Sequence, residues 1–400
     1  MQDVFDALGA AGFSAVLRGF SAIDRYLNYP PLPVLFLETS ADISDLARLF
    51  GELRFPGVDL ADAALDCGET SVYFRCTDID ERVPLWNGAS CRLLSFGWNS
   101  ANGHFLDPHD VYPQLAAIYR HELYTETQTA PEINPLLEFN PSADSYTALM
   151  DAALIFARYG ASLVNSCGNF IEGNLTREFS ALMRPSKIQP KTEAQRMLLS
   201  CILVSERPDL ALELLKSAGF VAEFWPELSE LDDVDHSKEF HPEGNGWNHT
   251  LETFRYRKSQ NGKNFSLLLS LGLLLHDTGK PIAAISGGRR FNGHAELGAF
   301  TARRFLERLG FDSNLISGVC YLVKNHMLPA ALPRLPLQRT EEIMASALFP
   351  TLMELYRCDE SSSFKGMDGY YESSAAYRSY LKHRRNPYRS PDGKLQTRPE

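Results

Sequence analysis

The sequence predicts a mainly helical chain: an α+β head at the N-terminus, an all-α neck behind it and an all-α C-terminal domain. Three observations carry this. Short apolar runs broken by turn residues fill the first hundred or so positions. Period-3.6 patterning takes over after a proline-rich stretch, TAPEINPLLEFNPS (129–142). The last third consists almost entirely of apolar runs of helical length with helical stops. Four hundred residues exceed one ordinary core, and we place the boundaries at 1–125 (head), 126–230 (neck), 231–380 (C-terminal domain) and 381–400 (a basic tail).

Within the head, FSAVLRGF and PLPVLFLET are short apolar runs, TSVYFRCTD reads as a strand, and SADISDLARLFGELRF is a helical pattern begun by Ser40 or Asp42. CRLLSFGWNSANGHFLD reads as a hairpin around a polar Asn-Ser-Ala-Asn-Gly turn. In the neck, SYTALMDAALIFARYGASL is a helix with a stop near Gly160, followed by TEAQRMLLSCILVS and by DLALELLKSAGF, which ends on Gly219 as a C-cap requires. A polar stretch, SELDDVDHSKEFHPEGNG, leads into the C-terminal domain.

Composition narrows the function. The 44% hydrophobic and 22% charged content is that of a globular chain, and the most apolar run, Phe265 to Leu275, is too short to span a bilayer. The N-terminal segment lacks the basic region and long apolar core of a signal peptide. Seven scattered cysteines without a CxxC pair argue against a disulfide framework or a zinc knuckle, and a cytoplasmic setting without membrane contact is expected. A net charge of −11 does not fit a dedicated nucleic-acid binder. The exception is the tail, where Arg378, Lys382, Arg384, Arg385, Arg389, Lys394 and Arg398 are interleaved with Tyr380 and Tyr388. It is either a solvated terminus or a segment that tracks an RNA backbone, tRNA included.

Histidine placement is the informative feature. His249 opens the helix HTLETFRYRKS; His276 and Asp277 end the apolar helix SLLLSLGLLLHD, which Gly279 and Pro281 terminate; His294 begins HAELGAFTARRFLERLG, closed by Gly310; His326 ends NLISGVCYLVKNH; and Asp359 lies near the end of TLMELYRCDE. A lone histidine at a helix end is usually a C-terminal charge or a satisfied core residue. The combination is what points to chemistry. Neutral imidazoles and carboxylates that leave a position open for water make a hydrolytic metal site. Mixed nitrogen and oxygen donors favour Mn, Fe, Ni, Co or Zn over Mg, as one ion or two. Gly287-Gly288-Arg289-Arg290 is either a phosphate-binding loop over that site or a simple turn.

The runs HPEGNGWNHTLETF, LLLSLGLLLHDTGKP, FNGHAELGAFTARRFLERLGF and VKNHMLP closely resemble the HD domain of bacterial tRNA nucleotidyltransferases and their poly(A) polymerase relatives. The resemblance implies that His249, His276, Asp277 and Asp359 bind one metal, that His294 and His326 bind a second metal or the substrate phosphate, and that Lys280 touches phosphate. It extends backward: LMDAALIFARYGASL is similar to the neck helix of those enzymes, ALELLKSAGFVAEFWPEL to the segment before their HD domain, and HFLDPHD to the Asp-Pro turn that closes their head.

The head departs from that pattern. Nucleotidyl transfer needs a Gly-Gly phosphate loop and two aspartates one residue apart on a strand, holding two metals. Here Arg18 stands where the first glycine belongs, Val34 and Phe36 stand at the carboxylate positions, Glu38 and Asp42 do not fit the spacing, and the Arg-Arg-Asp signature is missing near WNGASC. The head is therefore expected to be a degenerate nucleotidyltransferase-like scaffold. The expected function is metal-dependent hydrolysis of a nucleotide or RNA-derived phosphate ester, with Asp277 and Lys280 as catalytic groups. The rivals are an active CCA-adding or poly(A)-type nucleotidyltransferase and a non-catalytic nucleotide or RNA sensor.

Overall fold

The structure is a computed structural model, and it describes residues 2–57, 60–68, 70–77, 90–120, 145–164, 189–234, 244–259, 263–287, 291–363 and 366–385. The proline-rich stretch 129–142, residues 86–89 of the WNGASC region, residues 288–290 of the Gly-Gly-Arg-Arg run and the tail from 386 onward lie outside these. The chain divides into two compact units: residues 1–218 with 259–265, and residues 219–258 with 266–400.

The first unit begins as the expected α+β head. Its sheet has the order β3-β4-β2-β1-β5-β6, with β1 at Ala15–Arg18, β2 at Val34–Thr39, β3 at Ala63–Cys67, β4 at Thr70–Cys76, β5 at Gly97–Asn99 and β6 at Phe105–Leu106. β2 and β4 pair in parallel and the other neighbours are antiparallel. The expected hairpin is β5–β6, with Trp98 opposite Phe105. β3 was not legible in the sequence: ALDC has too little alternation to read as a strand, and its pairing with β4 makes it one.

Three helices accompany the sheet: α1 (Gln2–Ala10), α2 (Phe20–Leu27) and α3 (Ile43–Phe50). Of the two caps open for α3, the structure uses Asp42, whose carboxylate accepts from Asp45 N in a reciprocal capping box. Leu8, Ile23, Leu37, Leu46, Phe74 and Phe96 fill the core.

Among the described residues, helices α4 (Tyr112–Arg120), α5 (Ser145–Val164), α6 (Thr192–Val204) and α7 (Pro208–Ser217) follow the sheet in this unit. α5 runs through Gly160 instead of stopping there. The glycine serves packing: a Cβ would come within 2.7 Å of Leu210 Cδ1 on α7. Gly219 does cap α7 in the left-handed region, at φ 82°. Buried Asp24 accepts from Arg158 Nε at 2.5 Å and from Tyr159 Oη at 2.9 Å, tying α2 to α5.

The second unit is helical in every described element. It contains α8 (Gly246–Thr253), α9 (Leu267–Leu275), α10 (Lys280–Gly287), α11 (His294–Arg308), α12 (Ser313–Asn325), α13 (Leu337–Met344), α14 (Phe349–Ser361) and α15 (Asp368–Arg385). The leucine-rich α9 is its axis, buried from Leu269 to Leu275. A Cβ on Gly272 would meet Leu322 of α12 and Leu355 of α14 at 3.0 Å, so the three helices pack at close range around that glycine. No described helix is long and apolar enough to cross a membrane.

Two helix boundaries differ from the sequence reading. α8 starts at Gly246, three residues before His249, because Asn245 caps it by accepting from Asn248 N. α9 has already ended when Pro281 arrives, and that proline lies in the first turn of α10, where its missing N–H costs nothing. Gly279 sits at the tightest point: a Cβ there would lie 2.0 Å from His294 O and 2.4 Å from Gly298 N, both backbone atoms. Gly279→Ala should therefore destabilise the unit by at least the ~3 kcal/mol upper range of overpacking. Gly272→Ala, which meets only leucine methyls, should lose less. Urea unfolding of both variants checks the order.

Candidate metal centre

Five helices converge on one buried site. His249 comes from the middle of α8, His276 and Asp277 from the C-terminal end of α9, His294 from the first residue of α11, His326 from the C-cap of α12 and Asp359 from the last turns of α14. His249, His276, Asp277 and His326 are 1–2% exposed, while a quarter of the Asp359 side chain reaches solvent.

The donors fall into two groups, each with its ligand atoms within 4.8 Å of one another: His249, His276 and Asp359, then Asp277, His294 and His326. Among the described residues these are the groups that could hold a metal. Asp277 faces both. Its Oδ2 is 3.3 Å from His276 Nε2 and 3.9 Å from His249 Nε2, and its Oδ1 is 3.8 Å from His294 Nε2 and 4.0 Å from His326 Nε2. Asp359 Oδ1 lies 3.0 Å from His249 Nε2 and 3.9 Å from His276 Nε2. Lys280 Nζ is 2.6 Å from Asp277 Oδ2.

The far nitrogen of each ring fixes its role. His276 Nδ1 is 2.8 Å from Leu273 O, His294 Nδ1 is 2.9 Å from Phe291 O, and His326 Nδ1 is 2.7 Å from Val323 O. A carbonyl oxygen only accepts, so each Nδ1 donates and, in the neutral ring, Nε2 presents a lone pair to the site. Ser362 Oγ stands 3.4 Å from His249 Nδ1.

Two features fit a cation. His276 Nε2 is buried and makes no well-aligned hydrogen bond, although Asp277 Oδ2 lies 3.3 Å away. The Nε2 atoms of His294 and His326 face each other at 3.0 Å, an arrangement of two lone pairs that repels unless a proton or metal ion intervenes. The set of four imidazoles and two carboxylates suits a divalent transition metal.

These orienting groups were absent from the sequence reading, though two were accessible to it. At a helix C-cap the carbonyl three residues back lacks an intrahelical partner, and His276 and His326 both occupy C-caps. The Phe291 carbonyl was not accessible: it reaches His294 because Phe291 holds φ 45°, a conformation rare for an aromatic residue.

Electrostatics match the geometry. Burial raises the Asp277 carboxyl, but facing His276 and Lys280 outweigh it and hold the group well below the usual range. Burial likewise opposes ionisation of Asp359, and the hydrogen bond and charge of His249 outweigh it. Burial pushes His294 down and His326 down to about 4.

In the head, Val34 is buried and Phe36 packs on Tyr73 with ring centroids 5.9 Å apart. Glu38, the single acidic residue of β2, accepts from Arg18 Nε at 2.7 Å. Gly97 makes room for that arginine, since a Cβ would lie 2.3 Å from its Nη1.

Comparison with known proteins bears on the helical unit as a whole. Residues 246–348 match the HD domain family. A stretch of 107 residues is 36% identical to the Multifunctional CCA protein of Halorhodospira halophila, covering 27% of this chain and 25% of that protein. A stretch of 179 residues is 32% identical to the CC-adding tRNA nucleotidyltransferase of Thermus thermophilus, covering 42% of this chain and 39% of the relative. The matches thus span a quarter to two fifths of those relatives' length. The crystal structure of the Bacillus stearothermophilus CCA-adding enzyme with CTP overlaps 95% of this chain and 82% of its own, at 12% identity and a TM-score of 0.43.

The depressed His326 sets a pH dependence. Between its ordinary 6.5 and about 4 the unfolded chain binds a proton that the folded, metal-stripped protein does not. Stability therefore falls as pH drops through that window, by roughly 3 kcal/mol from this ring. Asp277 and Asp359, lowered from 3.8, add a further loss at more acid pH. Melting of chelator-treated protein across pH 7 to 4 should show the decline, with a shallower slope in His326→Gln.

Proposed function

We propose that the chain is a metal-dependent phosphohydrolase of the HD type, acting on a nucleotide or an RNA-derived phosphate ester. The observation that carries this reading is the Asp277 carboxylate, with one oxygen toward His249 and His276 and the other toward His294 and His326. On this reading His249, His276 and Asp359 would hold one divalent ion, His294 and His326 would hold a second, and Asp277 would be available to either. The donor set would suit Mn, Fe, Ni, Co or Zn.

When bound, such a metal polarises a phosphoryl oxygen and brings the acidity of its water near neutrality. The chain's own residues do the rest. The Nδ1–carbonyl bonds keep the imidazoles pointed inward as acceptors. The buried leucines of α9 exclude bulk water from one side of the site. Lys280, whose side chain is 15% exposed, brings a cation to the rim, where it offsets charge on the phosphate. The cytoplasmic setting expected from the cysteine pattern goes with this reading.

The relatives give a second reading its weight. Proteins named Multifunctional CCA protein and CC-adding tRNA nucleotidyltransferase favour nucleotidyl transfer to tRNA over hydrolysis, and they weigh against a head without that activity. The opposing observation is local: β2 offers no aspartate pair, and Glu38 is committed to Arg18.

One experiment separates the two. The protein is incubated with Mn, Ni or Co and either phosphate-ended or cyclic-phosphate nucleotides and RNA, or tRNA lacking its 3′ end with labelled CTP and ATP. Hydrolysis predicts phosphoester cleavage that falls roughly 100-fold or more in Asp277→Ala, with the fold retained. Label incorporation that survives Asp277→Ala establishes nucleotidyl transfer instead, and unchanged hydrolysis in that variant removes the HD site from the chemistry.

A further inference from the structure

We propose that Phe291 stacks on the nucleobase of the substrate, so that the site takes nucleoside phosphoesters in preference to base-free ones. The proposal rests on the hydrolase reading above and names the group attached to its phosphate. Exposure locates the mouth of the site. The side chains of Asp359, Lys280 and His294 are 25%, 15% and 12% exposed, while those of His249, His276, Asp277 and His326 are at most 2% exposed. A substrate therefore arrives over Asp359, Lys280 and His294. Phe291 adjoins two of these three: its carbonyl accepts from His294 Nδ1 at 2.9 Å, and its ring centroid lies 5.9 Å from Lys280 Nζ.

The identity of residue 291 needs a cause. Its backbone holds φ 45°, in the left-handed region, where glycine, asparagine and aspartate are at ease and a phenylalanine is strained. Among the described residues the other non-glycine positions with positive φ are Asn28 and Asp110, which follow that rule. Orienting His294 takes only the backbone carbonyl, and a glycine or asparagine would present one with less strain. The ring is partly exposed, and among the described residues no other aromatic ring packs on it, so aromatic packing inside the fold does not require it either.

A partly open aromatic ring beside a cation suits a planar group covalently joined to an anion. The ammonium that approaches the ring is also 2.6 Å from Asp277 Oδ2, so Lys280 links Phe291 to the donor cluster. A phosphate at the donors leaves its base only a sugar's length away, within reach of the ring. Every nucleobase has a π-face, so stacking selects nucleosides as a class and not one base. A bare sugar phosphate keeps the contact to Lys280 and loses the contact to the ring.

The test is calorimetric titration of the full chain, in manganese buffer, with adenosine 5′-monophosphate, ribose 5-phosphate and inorganic phosphate. The wild type should bind the nucleotide roughly tenfold or more tightly than the sugar phosphate, as one base–aromatic stack provides. Phe291→Ala should erase that difference while affinity for the sugar phosphate and for inorganic phosphate, and manganese uptake, stay as in the wild type. Phe291→Trp should keep the difference. If the alanine variant melts early, Phe291→Leu, which retains bulk without a π-face, is read in the same way. Three results overturn the proposal: no preference for the nucleotide in the wild type, a preference that survives in both the Ala and Leu variants, or parallel weakening of all three ligands, which marks a purely structural ring. The hydrolase reading fails separately, since base preference without phosphoester cleavage removes that reading and leaves the stacking role, whereas cleavage without base preference removes only the stacking role.

Discussion

The second unit is organised around a buried carboxylate, Asp277, surrounded by four imidazoles at the end of an apolar helix. Placing an ionised carboxylate in such surroundings costs several kcal/mol unless cationic partners compensate. Lys280 supplies one, and the inward Nε2 atoms define where another fits. The packing around Asp277 follows from this constraint. Each helix that contributes a donor does so from an end or from a turn facing the same point, and the shielding leucines lie on the helix that carries Asp277 itself.

Backbone proximity makes the convergence possible. Gly279 leaves no space for a side chain between the α9 terminus and the first residues of α11, which brings His294 to the same carboxylate as His276. Gly272 does the same for α9 against α12 and α14, the helices that carry His326 and Asp359. The site is thus a consequence of how closely the helices approach, and two glycines two turns apart set that distance.

Much of this was legible in the sequence because the donors sit at helix boundaries, which proline, glycine and capping residues punctuate. His276-Asp277 after an unbroken leucine run and His294 ahead of a helix closed by Gly310 could be read directly. Contacts that depend on tertiary pairing could not. ALDC becomes a strand only beside β4, α5 passes Gly160 because Leu210 needs the space, and Phe291 adopts a positive φ that no spacing rule anticipates. The division of Asp277 between two histidine groups was also invisible, since sequence orders donors along the chain and not around an ion. In the head, the departures at Arg18, Val34 and Phe36 were legible, but the Arg18–Glu38 pair needed the β1–β2 register.

On the proposed reading these six donors form a shared metal centre. The most direct measurement is elemental analysis of the purified protein, before and after exposure to Mn, Ni or Co, beside Asp277→Ala and His294→Ala variants. A shared centre gives near-stoichiometric transition metal in the native protein, loss of metal in Asp277→Ala, and only partial loss in His294→Ala. A native protein that contains no metal and takes none up from any of the three ions would contradict it.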